Sequence, residues 1–370
     1  MAKGMDIAFF GSSLVSAYWN GAATYYRGII RALHERGHRI VFYEPDAYDR
    51  QQNRDIPDPP WAEVVVYSSA DDKYAYDALK KAKSADLIVK ASGVGVFDSL
   101  LETEVLNLKT SGRLVAFWDV DAPATLDRVG THSDDPFRRL IPQYDFIFTY
   151  GGGDPVINEY RRFGAKSCIP IYNALDPSTH FPVAPDDRFK GDLCFLGNRL
   201  PDREKRVEEF FFKAAAVMPE RRFLLGGSGW GDKPMPTSVK YLGHVYTTDH
   251  NALNSSSRAI LNISRESMAR YGFSPATRVF EAAGAGSCII SDAWEGIELF
   301  LEPGKEILPA VSGEEVAEHL RSLTPERARS IGRAAMRRIL SEHTYAHRAE
   351  LFEQVLSGCG HKSAVSPMKL

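Results

Sequence analysis

Cysteine is scarce in this 370-residue chain: Cys168, Cys194, Cys288 and Cys359 are its four thiols, and they stand far apart. None of the spacings is that of a zinc site. Three of the four fall in apolar, strand-like runs, where a reduced and buried thiol is expected. No apolar run approaches the roughly 18 residues that span a bilayer, so no transmembrane anchor is expected. The opening stretch "MAKGMDIAFFG" runs straight into a strand, so no signal peptide is expected and the cytoplasm is the expected location. A large excess of charge is missing too. A net charge of −3 argues against retention on nucleic acid by bulk charge, although a local basic patch remains compatible with it.

Several signatures of nucleotide and acyl chemistry are also absent. The first strand ends at Gly11, but serines stand at positions 13 and 16, so there is no G-x-G-x-x-G fingerprint and no case for a Rossmann dehydrogenase. No G-x-x-x-x-G-K-[ST] occurs, which excludes a P-loop ATPase. "GGSGW" lacks the spacing of a G-x-S-x-G nucleophile elbow.

What is present is a rhythm. Apolar blocks at 6–11, 39–45, 63–68, 86–92, 113–121, 145–152 and 167–173 alternate with helical patterns such as "GAATYYRGIIRALHERG". The blocks are continuous rather than alternating, as in parallel strands covered on both faces. "NALDPSTHFPVAPDDRFKGD", with three prolines and no clear period, reads as a linker. The rhythm then restarts with blocks at 192–198, 222–229, 239–245, 259–264, 287–292 and 306–311, and the chain closes on two amphipathic helical segments. The expected class is α/β: two Rossmann-like doubly wound domains, residues 1–174 and 191–342, joined by a linker at 175–190 and facing a cleft. Ligands of such sheets sit at the carboxyl ends of the strands.

The strand ends carry the candidates. Gly197, Asn198 and Arg199 close one strand, and Arg203 opens the next helix, a setting suited to a diphosphate. Gly226, Gly227 and Gly229 would let a backbone approach a ligand closely. Gly243, His244 and Val245 end another strand. Ser274 followed by Pro275 predicts a helix start, with Thr277 and Arg278 in its first turns and Glu281 one turn further. An Arg–Glu pair at i, i+3 on an exposed helix contributes only a few tenths of a kcal/mol. Beside so many glycine-rich strand ends, the pair points instead to a nucleotide diphosphate, with Glu281 accepting two ribose hydroxyls. In the first half, "FWDVDAP" places Asp119 and Asp121 at a strand end. Either is a candidate base for an acceptor hydroxyl; the alternative is that one caps the helix begun by Pro123, for which Asp121 has the right spacing. His132 and His244 are further candidates. Tyr18 and Trp19 offer rings for stacking, although aromatic residues here equally suit core packing.

With these residues in place, the chain resembles the GT-B glycosyltransferases and, more closely, the spore-maturation CgeB-like family. The resemblance is carried by "DLCFLGNRLPDREKRVEEFF", "RFLLGGSGW", "YLGHV" and above all "RVFEAAGAGSCIISDAWEGIELFLEPGKEIL". It implies a sugar transferred from a nucleotide-diphosphate sugar bound by the second domain. Glu281 would hold the ribose, Gly243–Val245 would face the base, and Arg203, Arg278 and the helix start would take the diphosphate. An unidentified acceptor (small molecule, glycan or protein) would lie near Gly11, Tyr18, Trp19, Asn20 and Gly21. Residues 343–370 would carry a helix crossing back to the first domain. No metal or other cofactor is expected, since arginines and helix N–H groups can stabilise the leaving diphosphate. The pattern is broken at Phe273, where many retaining relatives carry a glutamate; this leaves the stereochemistry open. A non-catalytic nucleotide- or sugar-binding module and a sugar-nucleotide epimerase of the same architecture are the alternatives. Oligomeric state is not indicated.

Overall fold

A computed structural model describes residues 4–18 and 20–358; Trp19 and Cys359 lie outside them. The chain forms two compact units, one ending at Asn173 and resuming at Tyr345, the other running from Ala174 to Thr344.

The first unit holds seven strands: β1 (Asp6–Phe10), β2 (Arg39–Asp46), β3 (Glu63–Ser68), β4 (Leu87–Ala91), β5 (Leu114–Asp119), β6 (Phe146–Thr149) and β7 (Cys168–Pro170). They pair in parallel in the order β3-β2-β1-β4-β5-β6-β7. Each apolar block seen in the first half of the sequence is a strand; β3 matches its block, β2 runs one residue further, and the others are shorter. Helices cover both faces, so the central strands bury both sets of side chains, and Ile7 through Phe10 are almost wholly shielded. One buried side chain in β4 is a lysine. Lys90 is fully enclosed, and its ammonium lies 2.5 Å from Asp98 and 3.7 Å from Glu102, which is how a buried cation is tolerated.

The helix Tyr345–Leu356 completes this unit. Phe352 stacks on Trp118 and packs against Phe148, and Tyr345 lies over Gly28 of the helix Ala23–Glu35. Trp118 donates its indole N–H to Tyr25, which in turn donates to the carbonyl of Ile171.

The second unit holds six parallel strands: β8 (Gly191–Leu196), β9 (Phe223–Gly226), β10 (Val239–Gly243), β11 (Ser257–Asn262), β12 (Ile289–Asp292) and β13 (Leu308–Ala310). Their order is β10-β9-β8-β11-β12-β13. The aromatic core here centres on Phe195, Phe211, Phe223 and Trp230.

The stretch 175–190, expected to be a linker, is a strap bound to the second unit. Leu175 pairs with the backbone of His343 and Thr344, while Val183 and Asp186 donate N–H groups to Ser255 and Ser256. Its prolines remove periodicity without removing order, because side chains of the neighbouring helix supply its hydrogen bonds.

One glycine has a sharply defined packing role. A Cβ on Gly332, in the helix Pro325–Glu342, would come within 2.0 Å of the Gly286 carbonyl oxygen. Alanine gains about 1 kcal/mol of helix propensity there, but it forces two backbone segments apart, which typically costs about 1–3 kcal/mol or more. Gly332→Ala should therefore lower the thermal unfolding midpoint; an unchanged or raised midpoint would show that the two segments part freely.

Candidate functional site

The helix Thr277–Gly284 organises the second unit's site. The sequence placed its start at Ser274–Pro275, and the structure corrects this: Ala276 is the N-cap. Gly272 (φ 68°) and Phe273 (φ 48°) both have positive φ and make a tight turn, held by a 2.6 Å bond from Phe273 N–H to the Glu295 carbonyl. Ser274 is buried and gives its hydroxyl to the Gly272 carbonyl, so its side chain does not cap the helix. The delayed start puts Arg278 at the second helical position, closer to the N-terminus than expected, with Thr277 half-buried beside it.

Arg278 and Glu281 are both nearly buried, with Arg278 Nη1 3.2 Å from Glu281 Oε2. Nε and Nη1 of Arg278 are sealed from solvent and have no hydrogen-bond partner. Burial alone would raise the Glu281 carboxyl. Arg278, then His180 and His250, outweigh burial and hold it below the usual carboxylate range, so Glu281 is an anion at neutral pH.

Arg203 sits just before the short helix Glu204–Val207. Its Nε is enclosed without a partner, and no carboxylate pairs with it among the described residues. The neighbouring cations differ: Arg265 binds Asp202 at 2.6 Å, and Arg206 binds Asp292 at 2.7 Å. Burial lowers the Arg203 pKa; Arg265 and Arg278 push the same way, while Asp202 and Asp292 oppose them. Gly197 leaves room for this head group, since a Cβ there would lie 2.9 Å from Arg203 Nη1. A half-buried guanidinium lacking an anion is a costly arrangement that a bound anion relieves.

Two histidines complete the site, and the sequence reading singled out neither. His180 lies in the strap and His250 opens the helix His250–Ser256. His180 Nε2 is 3.7 Å from Glu281 Oε1. Burial, then Arg278, hold the His250 imidazole down at about 4, so it is neutral at pH 7. No local pattern marks either residue, because each meets Glu281 only through the fold.

Other expected donor residues serve the framework. Arg199 is engaged by Glu204 at 2.7 Å and Asp232 at 3.0 Å, which corrects its assignment to a diphosphate. Asn198 accepts from the Ser228 N–H. Gly227 (φ 119°) abuts the Gly197 carbonyl, where a Cβ would come within 2.2 Å, so its smallness lets two strand ends pack together. Gly243 (φ 71°) faces open space, His244 is exposed against Tyr246, and Val245 is buried beside them.

In the first unit, Asp119 is corrected. It is fully buried, and its carboxylate accepts from Ser92, Thr125, Tyr160 and the Asp121 N–H at 2.5–3.0 Å. Burial raises its pKa against these donors. It ties β5 to its flanking loops and is closed to an acceptor. Asp121 is half-buried at the N-cap of the helix Ala122–Thr131, without a capping hydrogen bond from its side chain. Gly11 is packing: a Cβ would lie 2.4 Å from the Phe42 ring. Asn20 is buried and pins its own loop, receiving the Ser12 hydroxyl and donating to the carbonyls of Ser13 and Ser16, which corrects its assignment to an acceptor. Gly21 and Tyr18 are exposed, and His132 ends a helix at the surface.

Residues 203–354 match the glycosyl transferase-like family model. No curated protein sequence matches the chain significantly. Among solved structures, sucrose-phosphate synthase from Thermosynechococcus elongatus superposes with a TM-score of 0.67 at 14% identity, over 95% of this chain and 99% of that one. HepE from Anabaena, in complex with UDP and glucose, gives 0.68 at 12%, over 96% and 100%. An alpha-glucosyltransferase in complex with UDP-glucose and DNA containing an abasic site gives 0.69 at 13%, again over 96% and 100%. The fold is that of the GT-B glycosyltransferases, and the segment that matches the glycosyl transferase-like model covers residues 203–344 of the second unit and residues 345–354 of the first unit's last described helix.

Half-buried His250 gives a pH signature. Its folded pKa of about 4 lies below its ordinary 6.5, so its stabilising contribution is complete above 6.5 and is lost as pH falls toward 4. His250→Gln should flatten the stability–pH curve across that window, by roughly 1–3 kcal/mol relative to the parent. Parallel thermal melts between pH 4 and 7 check this, and superimposable slopes would contradict it.

Proposed function

We infer that this chain is a glycosyltransferase that takes its sugar from a nucleotide-diphosphate donor held by the second unit. The carrying observation is Arg203, a half-buried guanidinium whose Nε is enclosed and which no carboxylate pairs among the described residues, electrostatically coupled to Arg278. A diphosphate supplies the anion that Arg203 lacks. Glu281, kept ionised, accepts the ribose hydroxyls, and the Gly243–Val245 turn borders the base. As the glycosidic bond to the β-phosphate breaks, charge grows on the departing diphosphate, and Arg203 and Arg278 stabilise it there. These cations serve in place of a metal, so transfer is proposed to be metal-independent. UDP-sugars are the first donors to test, since HepE and the alpha-glucosyltransferase above were solved with UDP or UDP-glucose.

The acceptor is assigned to the first unit. Asp121 is the candidate base, since the carboxylate of Asp119 is closed off, and Tyr18 and Gly21 supply exposed surface. The finer resemblance to the CgeB-like family rests above all on the segment from Arg278 to Leu308. Among the described residues no helix is long and apolar enough to cross a membrane; a cytoplasmic location is part of the proposal. One observation favours a second reading, a binding module without turnover: Phe273 occupies the position of a second carboxylate, and a Cβ on Gly296 would strike its ring at 2.2 Å. Release of nucleoside diphosphate from a donor panel separates the two readings.

The electrostatics make a paired prediction. Arg203→Met removes an unpaired, half-buried charge, so the melting point of the free protein should hold or rise. The same change should weaken UDP binding about 10- to 100-fold, the range for losing a hydrogen bond between charged groups. Glu281→Gln should also shrink the UDP-induced thermal shift. An Arg203→Met protein with a full UDP shift would remove the diphosphate from this site.

A further inference from the structure

The histidines beside Glu281 are not needed by the donor reading. His180, His250 and Glu281 each direct a ligand-type atom to one place, all within 4.8 Å of one another. The two carboxylate oxygens are divided between neighbours: Oε2 faces Arg278 at 3.2 Å and Oε1 faces His180 Nε2 at 3.7 Å. Arg278 can therefore keep its contact with Oε2 while Oε1 is used elsewhere, orienting the carboxylate as an outer partner orients a metal ligand.

His180 is held from its far side: Nδ1 lies 2.9 Å from the Thr179 hydroxyl, and Nε2 is the nitrogen on the Glu281 side. A ligating histidine is usually oriented in this way, by a hydrogen bond at its other nitrogen. On His250, Nδ1 is sealed from solvent and has no hydrogen-bond partner. Two imidazoles and a carboxylate form the three-ligand set of an open zinc site, with bonds of about 2.0–2.2 Å and a fourth position for water. Drawing the three groups in to that radius takes side-chain movements on the order of 1 Å.

We propose that His180, His250 and Glu281 bind a divalent cation of the zinc type, and that this cation and a nucleotide ribose exclude each other at Glu281. The exclusion rests on the donor reading above; the cation site does not. The metal is thus an inhibitor of a reaction that proceeds without one. Oxygen-seeking cations such as Mg2+ do not suit two imidazoles and are not expected to bind here.

The test titrates Zn2+ against the full-length protein with a chromophoric chelator as competitor, and Co2+ by its visible absorption. A Cys359→Ser background removes the thiol outside the described residues. The expected result is one Zn2+ per chain, a Co2+ spectrum without thiolate charge transfer, and at least tenfold weaker binding in both His180→Gln and His250→Gln. Adding UDP to the parent protein should raise the apparent Zn2+ dissociation constant in proportion to UDP occupancy. That arm needs no folded variant. Zn2+ binding that is absent, or equally tight in both histidine variants, overturns the site. Zn2+ and UDP binding together without competition overturns the exclusion. If UDP fails to bind at all, the donor reading falls, and the histidine variants still decide the cation site.

Discussion

The second unit turns on one electrostatic arrangement: a guanidinium and a carboxylate brought side by side at the start of a short helix, with a second guanidinium left unmatched nearby. Arg278 keeps Glu281 ionised against its burial, and it also helps to keep His250 neutral. Arg203 gains no such relief, since the carboxylates around it are already engaged by Arg265 and Arg206. The protein holds this imbalance in place through its strand ends. Gly197 clears space for Arg203, and Gly227 lets the neighbouring strand end pack against Gly197. Such local disadvantage in the free state is how a site is kept ready for an anion.

Much of the architecture could be read from continuous apolar blocks. "IAFF" and "LIVKA" lie in central strands shielded on both faces, and only that environment lets four or five residues in a row avoid water. The strand edges and the strap were less legible. Prolines at 177, 182 and 185 hid an ordered segment, because its order comes from Ser255 and Ser256 and not from its own pattern.

The site was legible where chemistry and chain coincide. Arg278 and Glu281 lie on one helix and could be paired from their spacing alone. Asp119 and Asp121 could not be told apart, because what separates them is non-local: Ser92 and Tyr160 close around one carboxylate and leave the other half-buried. His180 and His250 went unnoticed for the same reason. The helix start was misplaced because Ser274 followed by Pro275 is a good local signal, overridden by the turn that Gly272 and Phe273 impose.

The helix Tyr345–Leu356 is a structural part of the first unit, with Phe352 filling the space between Trp118 and Phe148. The second unit is continuous in sequence, and the first is not. On the ribosome, therefore, the later-encoded unit has all its residues before the earlier one does. Until the last helix emerges, the ring of Trp118 lacks its partner and an apolar face stays open, so the first half of the chain must wait in a sticky, unfinished state while the second half folds.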